Sequence, residues 1–366
     1  MTSKYVFYLC LMFLLLHSSC QCAKTDVFGS EYIDSTIVKV IDWQMKHPKH
    51  DPRDWTNAAH YSGMYAAWEV THSNRIYELL MNVGESVEWQ PFSRWYHADD
   101  IAVCQTYIDL YRREGKAKMI QPTIDTLNML INQPYPQKRP HEVIKWWWCD
   151  ALFMAPPVLV KLGMSTGDEK YLKISDKYYE EAYNLLYDKD EKLFSRDLNY
   201  VIKNNKNDKR EANGRKIFWS RGNGWVMGGL VKILTELPDT YSKREFYETL
   251  FKEMAERVIT LQQEDGLWRV SLLDPQSYPG GEVSGSGFFC YALAWGINNK
   301  LLDKNEYLPI VKKAWIALNQ CVDEEGRIGW VQPIGADPRK NFNRDSWEVY
   351  GTGAFLLAAS EVVKLK

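Results

Sequence analysis

Read for the order of its apolar and polar positions, the chain is helical almost throughout, with few strand signals. Apolar faces recur at helical spacing over Ile101–Tyr111, Leu152–Leu162, Tyr171–Leu186, Trp225–Leu237, Phe251–Gln262, Phe288–Ile297 and Tyr307–Leu318. The segment Phe194–Lys216 breaks this rhythm. It is polar and rich in Lys and Asn, and reads as a surface loop or hairpin. No Pro- or Ser-rich linker divides the chain, so one domain is predicted over residues 23–366.

A second regularity overlies the first. At six places a polar loop bearing glycine or acid runs into a helix of small and apolar residues. These are Thr56-Asn57, Asp99-Asp100, Asp150, Gly222-Asn223-Gly224, Ser284-Gly285-Ser286-Gly287 and Gly351-Thr352-Gly353. The intervals of roughly 40 to 75 residues leave room for two helices each time. Small residues at a helix start let helices crowd round a shared axis. The prediction is an all-α fold: an inner ring of six helices backed by an outer ring, with polar helix starts converging at one end. An open helical solenoid would show similar spacing.

The N-terminal 22 residues differ from the rest. Lys4 followed by the apolar run Val6–Leu16 reads as an export signal, too short to span a membrane comfortably. Cleavage is expected near Cys22-Ala23, or at Cys20 with lipidation, giving a periplasmic or cell-surface protein. No later segment reads as transmembrane. Besides Cys10, Cys20 and Cys22 in this leader, Cys104, Cys149, Cys290 and Cys321 are scattered without CxxC spacing. They are expected as small buried hydrophobes, not as a zinc site or a disulfide framework. The 45 basic and 47 acidic residues nearly cancel, so no nucleic-acid groove is predicted.

Composition adds one pointer: 15 Trp and 22 Tyr, residues that fill cores but also wall sites for sugar rings. Four clusters place them beside chemistry. In Trp95-Tyr96-His97-Ala98-Asp99-Asp100 the paired acids are either a helix cap with a first-turn acid or a site acid whose pKa is raised by aromatic walls. Trp146-Trp147-Trp148-Cys149-Asp150 places an acid behind three tryptophans, as a cap or as a proton donor near neutral pH. In Phe218-Trp219-Ser220-Arg221-Gly222-Asn223-Gly224-Trp225, Arg221 offers a planar fork for a carboxylate. The glycines permit close backbone approach, and the two Trp flank a ring; a turn with a structural Arg is the alternative. Gly280–Gly287 has the glycine density of a phosphate loop but lacks the Lys-Ser/Thr ending, so it reads as a ligand-facing loop that includes Ser284. These residues point to a carbohydrate site, for an acidic sugar.

At these same residues the chain resembles the unsaturated rhamnogalacturonyl hydrolases, glycoside hydrolase family 105, relatives of the unsaturated glucuronyl hydrolases. The matching stretches are His97-Ala98-Asp99-Asp100, WWWCDALFMAPP from Trp146, FWSRGNGWVMGG from Phe218, Ser271–Pro275, Glu282–Gly287, Val331–Pro338 and Tyr350–Phe355. They run through nearly all the mature chain. The resemblance implies an (α/α)6 barrel of six helical hairpins, no metal and no organic cofactor. Its substrate would be an oligosaccharide ending in a 4,5-unsaturated uronate, left by a polysaccharide lyase. Such enzymes hydrate the C4=C5 bond, and the resulting hemiketal opens to release the neighbouring sugar. By motif position Asp150 is the general acid/base and Asp100 the second acid, with Asp99 as its alternative. Arg221 would bind the carboxylate and Trp148, Trp219 and Trp225 the ring; His97, Asn223 and Ser284 complete the expected site. One departure stands out: where some members carry a His, this chain reads Leu193-Phe194-Ser195-Arg196-Asp197. That leaves the aglycone open between pectin rhamnose and another sugar, such as that of an algal polysaccharide. An inverting glycosidase or an epimerase on the same barrel, or a sugar-binding protein without activity, are the competing readings.

Overall fold

A computed structural model describes residues 26–365. The predicted export segment, its Cys20 anchor and its cleavage point lie outside those residues.

The helices are α1 Ser30–Lys46, α2 Trp55–Thr71, α3 Asn74–Ser86, α4 Ala98–Ile101, α5 Cys104–Glu114, α6 Gln121–Asn132 and α7 Ala151–Met154. They continue as α8 Pro156–Thr166, α9 Glu169–Leu186, α10 Ser220–Glu236, α11 Arg244–Ile259, α12 Val283–Asn298, α13 Lys304–Gln320 and α14 Val349–Val362. A two-stranded hairpin, Tyr187–Asp188 with Leu193–Phe194, is the only sheet among the described residues.

Two kinds of helix build two layers. In α10 and α12 the first 15 residues are all buried, and α14 is buried along its whole length. A helix buried on every side must be surrounded by other elements, whereas α3 and α9 bury one stripe and belong outside. The packing follows: α2, α5, α8, α10, α12 and α14 touch in that order, and α14 returns to α2. The ring is therefore closed, which excludes the open solenoid, and the molecule is an (α/α)6 barrel. Five outer helices (α3, α6, α9, α11, α13) each follow their inner partner in sequence. The sixth pair is not a hairpin, as the spacing had implied, but joins the two ends of the chain. Helix α1 packs on α14, with Thr352 Oγ1 donating to Gln44 Oε1 at 2.8 Å, and Trp315 Nε1 reaches the Val27 carbonyl at 2.7 Å.

Small residues set the closest approach. A methyl group at Gly353 would stand 2.4 Å from the Ala59 carbonyl oxygen, and one at Gly63 would stand 2.6 Å from the Gly353 carbonyl oxygen, so α2 and α14 meet backbone to backbone. Two predicted helices are broken. Ile101–Tyr111 is split around Ala102-Val103, and Leu152–Leu162 is interrupted before Pro156-Pro157, whose rings cannot continue the α7 hydrogen-bond ladder. Helix α11 starts at Arg244, well ahead of the predicted Phe251. Cys104, Cys149, Cys290 and Cys321 are free and buried.

Candidate functional site

The six polar helix starts lie at one end of the ring, where a cavity of about 350 Å³ opens. Its wall includes Arg94, Tyr96, His97, Asp99, Trp147, Trp148 and Arg196. Three chain segments bring these residues together. The turn before α4 supplies Arg94, Tyr96 and His97, and the first turn of α4 supplies Asp99. His97 caps that helix, its Nδ1 accepting from the Asp99 amide at 3.3 Å, and its ring lies on Trp148 at 4.7 Å between centroids. The Trp146–Asp150 segment supplies the tryptophans. The third segment starts inside the stretch predicted to be a surface loop. The Cys149 amide donates to the Arg196 carbonyl at 2.9 Å, and Asp197 bridges to Trp148, so Arg196 is placed beside Asp150. Its Nε lies 3.6 Å from Asp150 Oδ2, its Nη1 donates to Asp197 at 2.7 Å, and its guanidinium covers the Trp147 ring at 5.4 Å.

The paired acids divide their work in the opposite sense to the motif alignment. Asp100 is 1% exposed. It accepts from the Arg94 amide at 2.7 Å, from Arg94 Nε at 3.0 Å and from Arg94 Nη2, so its lone pairs are committed to holding this turn. Asp99 lines the cavity with its side chain 20% exposed. Loss of solvent, reinforced by the Asp150 charge, raises the Asp99 carboxyl to about 7, against the pull of Arg94 and Arg196. Burial also raises Asp150, countered by Arg196 and Arg221. Asp150 itself is nearly buried behind Arg196 and touches the Cys149 thiol at 3.7 Å. Burial, then the nearby Arg94, Arg196 and Lys138, holds His97 at about 3, so its imidazole is neutral and can accept the Asp99 amide. The Asp150 charge is thus felt at Asp99, which ties the protonation of the two acids to one another.

The third and fourth motifs stand elsewhere than expected. Arg221 has no exposed surface; Nη1 and Nη2 donate to the carbonyls of Gln332 (2.6 Å) and Pro333 (3.0 Å), between the rings of Trp219 and Tyr350. Its fork is thus engaged by backbone and acts on the site through charge. Trp225 is fully buried against Trp55, Phe153 and Phe288, and Trp219 is 2% exposed with its Nε1 on Gln332. Ser284 donates to Glu282, which caps α12. Asn223 holds both the amide and the carbonyl of Phe194, at 2.8 and 3.0 Å, and so positions the segment that carries Arg196. In this geometry these side chains are taken up by packing, by backbone or by neighbouring side chains, and none of them lines the cavity. The wall residues Arg94, Tyr96, Lys138 and Arg196 were not predicted as site residues. For Arg196 the only sequence signal is its departure from the family's His.

A pH-dependent consequence follows for Asp99. An acid whose pKa is raised in the folded state binds more protons folded than unfolded between about 4 and 7. Stability is therefore present below that window and lost as pH rises through it. Asp99→Asn removes the cost, so its stabilisation is expected to be larger at pH 8 than at pH 5 by on the order of 2 kcal/mol. Urea unfolding at the two pH values checks this. Equal increments would mean that Asp99 titrates in its ordinary range.

Among the described residues, no helix is long and apolar enough to cross a membrane. The profile of Glycosyl Hydrolase Family 88 matches residues 30–366. The unsaturated 3S-rhamnoglycuronyl hydrolase of Formosa agariphila is 48% identical over 344 residues, covering 91% of this chain and 91% of that protein. An enzyme of the same name from Alteromonas sp. is 36% identical over 326 residues, covering 84% of this chain and 77% of that protein. The solved structure of a glycosyl hydrolase family 88 protein from Bacteroides vulgatus superposes with a TM-score of 0.83 at 30% identity, covering 91% of this chain and 98% of that one.

Proposed function

The chain belongs to glycosyl hydrolase family 88, and we propose that it releases a 4,5-unsaturated uronic acid from the non-reducing end of lyase-generated oligosaccharides by hydrating the C4=C5 bond. The observation that carries this reading is the pair Asp99 and Asp150. Both carboxyls are pushed above their ordinary range, Asp99 on the wall of a pocket it shares with Trp147 and Trp148, and Asp150 behind Arg196, which separates it from that pocket. Protonating an enol ether at carbon needs an acid that is still protonated near neutral pH, and desolvation supplies one.

In the proposed sequence Asp150 delivers a proton to C4 and positive charge develops at C5. Water adds there as Asp150 takes a proton back. The hemiketal at C5 then opens to a ketone, its ring oxygen staying on C1 as a hydroxyl, and the hemiacetal so formed at C1 collapses to an aldehyde, the hydroxyl proton passing to the glycosidic oxygen that leaves with the aglycone. Asp99 shares the pair's proton and orients the uronate. Arg196, and not Arg221, is assigned to the uronate carboxylate. The neighbouring sugar would meet the basic rim of Arg94, Lys138 and Arg139. Of the two aglycones left open by the sequence, that rim, together with the two relatives named for a rhamnoglycuronyl substrate, favours uronyl-rhamnose of that kind over pectin rhamnose. The leader before residue 23 belongs to the same proposal: it would export the enzyme to meet oligosaccharides made outside the cytoplasm. Fractionation of cells making the full chain tests that part.

Two raised carboxyls stand at the site, Asp99 on the pocket wall and Asp150 behind Arg196, so their number does not separate hydration from an inverting mechanism, which also uses two. The substrate does. Unsaturated uronyl disaccharides should lose their enol absorbance, while saturated ones of the same linkage stay intact. In ¹⁸O-water the label should enter at C5, and in heavy water deuterium should enter at C4. Label at C1, or comparable cleavage of the saturated sugar, would assign the protein to ordinary glycoside hydrolysis.

A further inference from the structure

A second cavity of the barrel, about 910 Å³, lies at the end opposite the tryptophan-walled pocket, among the C-terminal halves of the six inner helices. Helix macrodipoles turn their negative ends to this space, and the chain lines it with five cations. Four are engaged. Arg112 pairs with Glu236 at 2.8 Å, Lys161 with Asp109 at 2.5 Å and Glu236 at 3.0 Å, and Lys364 with Glu361 at 2.7 Å, while Arg113 covers the Trp68 ring at 4.4 Å. The fifth is Lys232 on α10. It is 8% exposed and has no hydrogen bond or ion pair to any described residue; its nearest ring, Phe153, is 5.7 Å away. Burial, and then the Lys161 charge, lowers its ammonium to about 8. Asp109, Glu69 and Glu236 act on it only at a distance, so a nearly buried ammonium is left without a direct partner, which is costly, and the barrel's own hydrogen bonding does not explain why one is kept here.

We propose that this rear cavity binds a small hydroxylated organic monoanion of the sugar-acid class, its carboxylate on Lys232. The remaining wall fits such a ligand. Asn298 and Ser360 spend their donors internally, on Glu361 and the Leu357 carbonyl, and leave oxygen lone pairs that ligand hydroxyls can donate to. Four carboxylates, Glu69, Asp109, Glu236 and Glu361, also face the cavity, so a dianion would be repelled and a monoanion tolerated. This site is independent of the reading given for the front pocket.

Calorimetric titration of the full chain with sodium glucuronate, and with glucose as the neutral control, tests the proposal. Glucuronate should bind in the millimolar range and glucose at least ~10-fold more weakly. Lys232→Met should abolish a glucuronate site that Arg196→Met retains, with kcat/KM on an unsaturated disaccharide unchanged by Lys232→Met. Removing an unpaired buried charge should not impair folding; Lys232→Gln, which keeps polarity, is the second variant. No binding by the wild type, equal binding of glucose, the wild-type isotherm in both Lys232 variants, or loss of the site in Arg196→Met alone would each overturn it.

Discussion

Asp150→Asn is expected to lower kcat by about 10²–10⁴-fold while leaving KM within a few-fold of wild type, the range a positioned acid/base contributes. The amide keeps the shape of the carboxyl but carries no transferable proton. Its neutrality suits a site where burial already disfavours the charged form, so the fold should hold. Steady-state kinetics on an unsaturated uronyl disaccharide, with near-ultraviolet circular dichroism as the check on folding, decides the matter. Near wild-type turnover would move the proton donor to Asp99, the other raised carboxyl, which lines the pocket.

Arg196→Met is expected to raise KM by about 10–100-fold, since a hydrogen bond to a charged group contributes about 1.5–3 kcal/mol. It should also leave a signature that lost packing would not. Arg196 draws down the pKa of both Asp99 and Asp150. Without it the pair holds its proton to higher pH, and the alkaline limb of the kcat profile should move upward. Arg196→Lys should restore the position of that limb but only part of the affinity, because an ammonium lacks the planar fork. A profile that does not move in Arg196→Met, with KM unchanged, would place the carboxylate on another residue.

These two residues stood very differently in the sequence. Asp150 was legible because three tryptophans precede it, and local order alone fixes that an acid follows an aromatic wall. Arg196 sits in a polar stretch that reads as solvent-facing. Its place in the site comes from pairing with Trp148 and Cys149, some 50 residues back in the chain, and from the grip of Asn223 on Phe194. No local pattern encodes either contact.

The arrangement of the barrel was open to reading for a related reason. Six starts of small residues, repeated at intervals long enough for two helices, specify an inner and an outer layer, since a helix apolar all round must be surrounded. Closure into a ring was not specified, because solenoid and barrel bury the same faces. It was decided by the meeting of the first and last helices, with the α2–α14 approach through Gly63 and Gly353 completing the circle. Likewise, the sequence determined that the first turn of α4 carries two adjacent acids. Which acid serves the pocket was a tertiary matter. Consecutive residues at a helix start point about 100° apart, so one of the pair turned inward to Arg94 and the other out to the cavity. The same holds for Arg221, Trp225 and Ser284. Their residue types announce sugar chemistry, but burial beneath the site turned the Arg221 fork to backbone carbonyls and the Ser284 hydroxyl to the capping Glu282, and closed Trp225 in by other rings.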